Sequence, residues 1–485
     1  MLPSTPVPNE PNNSEPQLQN NSRPFLNPEG FYGRAHHKDI LNHLLEHIQP
    51  VNFHQIIGKP AEDSLLQRNM IYAVVKHLLQ ISEEKKWNFC KRYDGIYIFN
   101  GAYWKQHDKE EIKKFLGDVA VQMGMKDYDA KHFEFSDKLF KQFVSDACIS
   151  TRVNDSNRVL INLQNGTAEF TRKGCNLRDF RQEDFLTNQL PFSYNVDVTC
   201  PLFNTYLNRV LPDESSQMVL QEFAGYIFTN LKLEKCLILT GLGENGKTVF
   251  FDVINALLGA DNTLSYSFGL FREPYNRAQL VNKLLNYSDE KGFDLDPDIL
   301  KALITGSGIQ ACNKYKDPFT LYNLAKFILN CNQLPKLIEH THAFYRRLII
   351  LPFDVKITEE EKDVDLSRKI ISNELPGVFN WALAGLNRLL LNGKFTYCKR
   401  SEDALNEFIV LADTLKLFIE DYNYKTSDNN MSLAEIYREY KNYCQESTYK
   451  PLGKHNFSKR LQQLGFEKVR KNDGFYFFME KKDFE

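Results

Sequence analysis

Lys235-Cys-Leu-Ile-Leu-Thr240 runs directly into Gly241-Leu-Gly-Glu-Asn-Gly-Lys-Thr248, and a helical stretch, Val249–Leu258, follows with Val253, Leu257 and Leu258 on one face. An apolar run, a glycine-rich octet and an amphipathic helix predict a buried strand, a tight loop and a helix start. The octet fits G-x-x-x-x-G-K-[ST]. In that spacing the loop Gly241, Gly243, Glu244, Asn245 and Gly246 lets backbone N–H groups converge on phosphate oxygens, and the helix N-terminus adds its positive dipole end. Lys247 pairs with the β- and γ-phosphates, and the Thr248 hydroxyl suits Mg²⁺. The stretch therefore predicts an α/β fold that binds a nucleoside triphosphate. Alone it does not separate a motor from a kinase or a GTPase.

Working outward, Lys283-Leu-Leu-Asn-Tyr-Ser-Asp289-Glu290 is an apolar strand that ends in two acids. The first acid of such a pair holds Mg²⁺, and the second can polarise an attacking water. Ala325-Lys-Phe-Ile-Leu-Asn-Cys-Asn332-Gln-Leu-Pro335 is another strand, and Asn332 at its end offers an amide that can orient water and sense a γ-phosphate. Phe344-Tyr-Arg346-Arg347-Leu-Ile-Ile-Leu-Pro352 sets two arginines before a third apolar run. An arginine supplied by a neighbouring subunit stabilises charge that develops on the γ-phosphate; a surface pair at a strand start reads equally well for Arg346. The strands Cys236–Thr240, Leu284–Ser288 and Phe327–Cys331 alternate with helical stretches, which predicts a mainly parallel sheet.

The order cradle, acid pair, Asn and Arg resembles a superfamily 3 helicase of the phage, plasmid and poxvirus primase–helicase type. Gly241–Thr248, Asp289-Glu290, Asn332 and Arg347 carry the resemblance, over about 235–353. It implies an AAA+-like ATPase core with ATP and Mg²⁺ between subunits of a hexameric ring, translocating on single-stranded DNA. It also implies a DNA-gripping hairpin between the acid pair and the Asn. That interval holds Lys314-Tyr315-Lys316, whose cations suit a phosphate backbone and whose ring suits a sugar or base. An ordinary exposed hairpin is the competing reading. No primase polymerase module is recognisable, so a separate primase or polymerase is the expected partner. Asp127-x-Asp129 near His132 lacks the apolar strand that a metal-holding pair needs, and reads as an exposed loop.

The flanks are less informative. Residues 1–24, rich in Pro, Asn, Ser and Glu, predict a disordered tail. Residues 25–195 read as an α+β domain: Leu41, Leu44, Leu45 and Ile48, then Ile112, Phe115, Leu116 and Val119, recur at helical spacing, and Asn100-Gly101 and Asn165-Gly166 mark hairpins. Residues 196–400 form the ATPase domain. In 411–485, Leu433, Ile436, Tyr437, Tyr440 and Cys444 make one helical stripe, Phe457, Leu461 and Leu464 a second, and Asn472-Asp-Gly474 joins a strand pair. Helix, helix and wing predict a winged-helix domain. Lys454, Lys459, Arg460, Lys468, Arg470 and Lys471 give it a basic face for DNA, or for a docking partner.

The chain has 485 residues, 42% hydrophobic and 25% charged, with net charge −2. Nucleic-acid contact must therefore rest on local cations rather than on the global field. Nine scattered cysteines without C-x-x-C spacing predict neither disulfides nor structural zinc. No apolar run approaches a membrane span and no leader is recognisable, so a cytoplasmic setting is expected. The sequence thus predicts an ATP-dependent DNA helicase acting on single-stranded and forked DNA in replication of a mobile element. A second reading is an origin-binding initiator that uses ATP as an assembly switch. A kinase fits less well, because no acceptor site is identifiable.

Overall fold

A computed structural model of the chain describes residues 36–92, 95–147, 158–171, 174–289, 297–314, 316–332, 342–447, 449 and 451–482. Glu290, Tyr315 and the predicted tail 1–24 lie outside these residues. Two compact units result: one holds most described residues up to Ala147, the other the described residues from Arg158 onward.

In the first unit, helices Gln67–Glu84, Lys109–Gln122 and Phe133–Asp146 surround a core that includes Val74, Val75, Leu78, Ile112, Phe115, Leu116, Leu139 and Phe143. Asp108 starts the middle helix, because its carboxylate accepts from the Glu110 and Glu111 amides. Asp127–Ala130 forms a single helical turn, with Asp127 paired to Lys131 at 2.7 Å. Among the described residues no cluster of His, Cys, Asp or Glu could hold a metal ion.

The second unit is built on a five-stranded sheet: β1 Cys236–Thr240, β2 Thr263–Leu264, β3 Leu285–Asp289, β4 Lys326–Cys331 and β5 Leu348–Pro352. The strand order is β5-β1-β4-β3-β2, and every neighbouring pair is parallel. Strands buried on both faces read as near-continuous apolar runs, as β1, β4 and β5 do. The period of two sorts the side chains between two cores. Leu237, Leu239, Leu285, Ile328, Ile349 and Leu351 face one. Cys236, Ile238, Phe327, Leu329, Leu348 and Ile350 face the other.

The first of these cores is covered by helices α1 Pro201–Val210, α2 Glu214–Ile227, α3 Lys247–Leu258 and α4 Leu366–Asn392. Where α2 and α4 cross, glycine permits backbone contact: a Cβ on Gly385 would sit 2.3 Å from the Gln221 carbonyl oxygen, and one on Gly225 2.7 Å from that of Ala382. Strands Val159–Leu163, Gly166–Thr171 and Gly174–Arg178 form an antiparallel meander whose apolar residues join the same core. The predicted Asn165-Gly166 turn is there, with Leu163 opposite Gly166.

The C-terminal part has its own core of Leu415, Phe418, Ile436, Tyr440, Phe457, Leu461, Phe477 and Met479. Helix Thr414–Asp421 is followed by strand Tyr424–Ser432, helices Leu433–Glu446 and Lys454–Gln463, and strands Lys468–Lys471 and Gly474–Lys481. The last strand lies between the other two, antiparallel to both. Strand Tyr424–Ser432 was not foreseen in the sequence. No helix among the described residues is long and apolar enough to cross a membrane.

Candidate nucleotide and nucleic-acid sites

Parallel pairing brings the C-terminal ends of β1, β4 and β3 to one sheet edge, with Cys331 opposite Thr240 and Asn330 opposite Asp289. Ligands in open α/β sheets sit at this edge. The glycine-rich loop leaves β1 there and enters α3. Gly246, the residue before α3, has φ +83, and a Cβ on it would fall 2.7 Å from Val210 Cγ1. A larger residue would therefore be strained and would push α1 away. The Tyr206 hydroxyl of α1 donates to the Gly246 carbonyl at 2.8 Å. The α1 start is itself fixed by Glu374 of α4, whose carboxylate accepts from the Leu202 and Phe203 amides at 2.9 Å.

The start and the middle of the loop are tied to the segment after β5. The Phe353 amide donates to Thr240 at 2.7 Å and the Ile357 amide to Glu244 at 2.8 Å. Asn245 is buried; its Nδ2 donates to the Phe353 carbonyl at 3.0 Å. Lys247 is 3% exposed and donates to the Gly241 carbonyl at 2.7 Å and to Asn245 Oδ1 at 3.0 Å. Burial pushes its ammonium below the ordinary lysine value, while Cys331 and Asp289 act the other way. Thr248 and Asp289 are exposed.

Asp289 is not alone at the end of β3. Asn330 Nδ2 donates to Asp289 Oδ1 at 2.9 Å, and Asn330 Oδ1 is buried without a hydrogen-bond partner. Tyr287, two residues before Asp289, stacks on Phe251 of α3 with centroids 3.5 Å apart. Burial, followed by Asp289, pushes its phenol up to about 12. Asn332 stands exposed just beyond β4. Sequence reasoning chose Asn332 and missed Asn330, although a polar residue in the apolar run Lys-Phe-Ile-Leu-Asn-Cys was a usable signal. Tyr206 gave none, since its partner lies forty residues on.

Arg346 and Arg347 precede β5, at the opposite sheet edge from the loop. Leu348 pairs with Cys236 and Pro352 with Thr240. Five residues of strand, about 16 Å, therefore separate the arginines from the loop of the same chain. Arg347 Nη2 lies 2.9 Å from Glu234 Oε2, and Arg346 Nη2 lies 3.6 Å from the same atom.

The strand pair Gly308–Ala311 and Phe319–Tyr322 forms an antiparallel hairpin with Lys314 and Lys316 in its tip. In the C-terminal part Lys454, Lys459, Arg470 and Lys471 are exposed. Lys468 donates to Ser458 Oγ at 2.9 Å and lies 4.0 Å from the Phe475 ring centroid. Lys471 donates to Asn430 Oδ1. Arg460 is engaged internally: its Nη2 lies 2.5 Å from buried Asp413 and its Nη1 donates to Gln463 at 3.0 Å.

Three segments match known families. Residues 72–212 match one described as D5 N terminal like, residues 239–347 a family of unknown function (DUF5906), and residues 412–484 one described as poxvirus D5 protein-like. Relatives carry provisional helicase names. Protein 121R of Invertebrate iridescent virus 3 is 24% identical over 60% of this chain and 35% of its own length. L207/L206 of Acanthamoeba polyphaga mimivirus is 24% identical over 50% and 26%. Protein 184R of Invertebrate iridescent virus 6 is 26% identical over 47% and 27%. The chain thus spans between a quarter and about a third of these relatives' lengths. Apo structures of the NrS-1 C terminal region align at 13% identity and TM-score 0.45, over 71% of this chain and 77% of that one. At 14% identity and TM-score 0.44 another covers 84% and 97%. The chain is thus similar in part to D5-like families and to viral proteins that carry helicase names.

Proposed function

The chain is a relative of the C-terminal part of phage- and poxvirus-type primase–helicases, and on that premise we propose that it is an ATP-dependent DNA helicase. It acts as a ring on single-stranded and forked DNA, in replication of a virus, phage, plasmid or other mobile element. The observation that carries this is the shared sheet edge: the glycine-rich loop, the Asp289–Asn330 pair and Asn332 meet there, and the two arginines stand at the opposite edge.

In this reading Gly241–Gly246 and the first turn of α3 cradle the triphosphate, and Lys247 exchanges carbonyl partners for phosphate oxygens. Thr248 and Asp289 are hard oxygen donors open to solvent, the sparse set that suits Mg²⁺ with its retained waters. When bound, Mg²⁺ neutralises charge on the β- and γ-phosphates. Asn330 holds the Asp289 carboxylate toward that position, Asn332 orients the water, and Glu290 takes its proton. Arg347, with Arg346 beside it, lies too far from its own loop to reach it and serves an adjoining copy. Head-to-tail contacts of that kind close into a ring, here of six subunits. Cleavage then moves the Lys314–Lys316 hairpin, which draws one strand through. The C-terminal part, ordered helix, strand, two helices and strand pair, is read as a winged helix that contacts DNA.

Forked-duplex unwinding under multiple turnover tests this. Lys247→Ala is expected to abolish ATP turnover and unwinding while leaving the fold intact. ATP-dependent assembly without unwinding by the unaltered chain would leave an origin-binding initiator instead.

A further inference from the structure

Glu234 is the residue around which both arginines gather. It sits two residues before β1, in the same parallel register that brings Arg347 to the start of β5. Its Oε2 receives Arg347 Nη2 at 2.9 Å and Arg346 Nη2 at 3.6 Å. The backbone is shaped for this. Glu234 has φ +55, a left-handed conformation that few non-glycine residues adopt. The Arg347 carbonyl accepts from the Cys236 amide at 2.8 Å, and the Arg346 carbonyl accepts from Lys235 Nζ at 2.5 Å. The main chain of the arginine pair is thus fixed by the two residues that follow Glu234. Arg347 is 12% exposed at its side chain and Arg346 57%. The first is held inward and the second is offered to solvent.

A guanidinium binds a carboxylate and a phosphate through the same planar fork, so the two compete for it. Inside its own subunit Glu234 engages one terminal nitrogen of the Arg347 guanidinium. We propose that Glu234 is a positioning residue. It retains Arg347 at rest and yields it to the triphosphate of the adjoining subunit when the interface closes, so that cleavage is withheld until neighbours engage. This rests on the ring reading above.

Subunit mixing separates the two ideas. Arg346→Ala/Arg347→Ala protein keeps its own loop but has no arginine to give. Lys247→Ala protein keeps its arginines but cannot turn over ATP. Each is inactive alone, and any turnover of the mixture comes from the arginines of the second acting in the loop of the first. Adding Glu234→Gln to the Lys247→Ala subunit is expected to raise that turnover about two- to five-fold, the range for releasing a partly exposed ion pair. The same change in the Arg346→Ala/Arg347→Ala subunit is expected to leave it as it was. An equal change from both placements, no change from either, or a loss from the arginine-giving subunit overturns the retention role. If the mixture without Glu234→Gln shows no turnover, the ring reading itself falls, and this proposal with it.

Discussion

Asn330 breaks the apolar run of β4, and its amide is aligned with Asp289 by the register of two parallel strands. A hydrogen bond from behind fixes which carboxylate oxygen faces outward, and loss of such a partner typically weakens metal affinity ten-fold or more. Asn330→Ala is therefore expected to raise the Mg²⁺ needed for half-maximal ATP turnover about ten-fold, with metal-free nucleotide affinity little changed; a Mg²⁺ titration checks it, and an unshifted midpoint removes Asn330 from the site. Lys326, at the other end of β4, is 7% exposed, donates to the Leu231 carbonyl at 2.9 Å and lies 4.1 Å from the Tyr226 ring centroid. Burial, with Lys232 nearby, lowers its ammonium from 10.5 to about 7. Between those values the unfolded chain binds the extra proton, so stability rises with pH across that window and the full cost is present below it. Lys326→Met is expected to gain about 1–3 kcal/mol at pH 7 and to lose the rise between about pH 7 and 9. Denaturant unfolding at both pH values measures this. Parallel profiles for the two proteins would mean that Lys326 finds enough partners to stay charged.

Elements differ in how far the sequence revealed them. β1, β4 and β5 are buried on both faces, so hydrophobicity alone marked them, and the glycine-rich octet fixed where β1 ends and α3 begins. Strand Tyr424–Ser432 reads Tyr-Lys-Thr-Ser-Asp-Asn-Asn-Met-Ser, with only Tyr424 fully buried. Its pairing with Gly474–Lys481 makes it a strand, and no local pattern predicts that. The acid and the Asn of the candidate site were legible because each ends a strand. Its supports were not: Tyr206, Phe353 and Ile357 reach the loop, and Glu374 fixes the start of α1, from segments distant in sequence, and nothing local in those residues announces a contact. The same holds for the crossing of α2 and α4, where Gly225 and Gly385 could pass for ordinary helix glycines. Ala normally favours a helix over Gly by nearly 1 kcal/mol. Here a Cβ at Gly385 would lie 2.3 Å from a backbone oxygen, which cannot swing aside. Gly385→Ala is thus expected to destabilise by about 1–3 kcal/mol despite its better propensity. Thermal unfolding decides the sign, and a raised midpoint would show that the helices separate at little cost.

Across the whole molecule the charges nearly cancel, at −2 over 485 residues. Binding to a polyanion must then come from where cations stand unpaired by acids. That condition divides the basic residues of the C-terminal part. Arg460 serves buried Asp413 and joins the helix Lys454–Gln463 to the start of helix Thr414–Asp421. Removing it leaves a buried charge without its partner, a change that costs stability rather than affinity. Lys454, Lys459, Arg470 and Lys471 are exposed on the second helix and the strand pair of the same part. Each phosphate contact on a single strand contributes about 0.7 to the slope of log affinity against log salt. Replacing the four with Ala is expected to flatten that slope by up to about 3, with unfolding temperature nearly unchanged. Arg460→Ala is expected to do the reverse, lowering the unfolding temperature while the slope of the remaining folded protein holds. Fluorescence anisotropy with an oligonucleotide at several salt concentrations, beside calorimetry, reads both. An unaltered slope in the fourfold variant would move DNA contact away from this face, toward the Lys314–Lys316 hairpin.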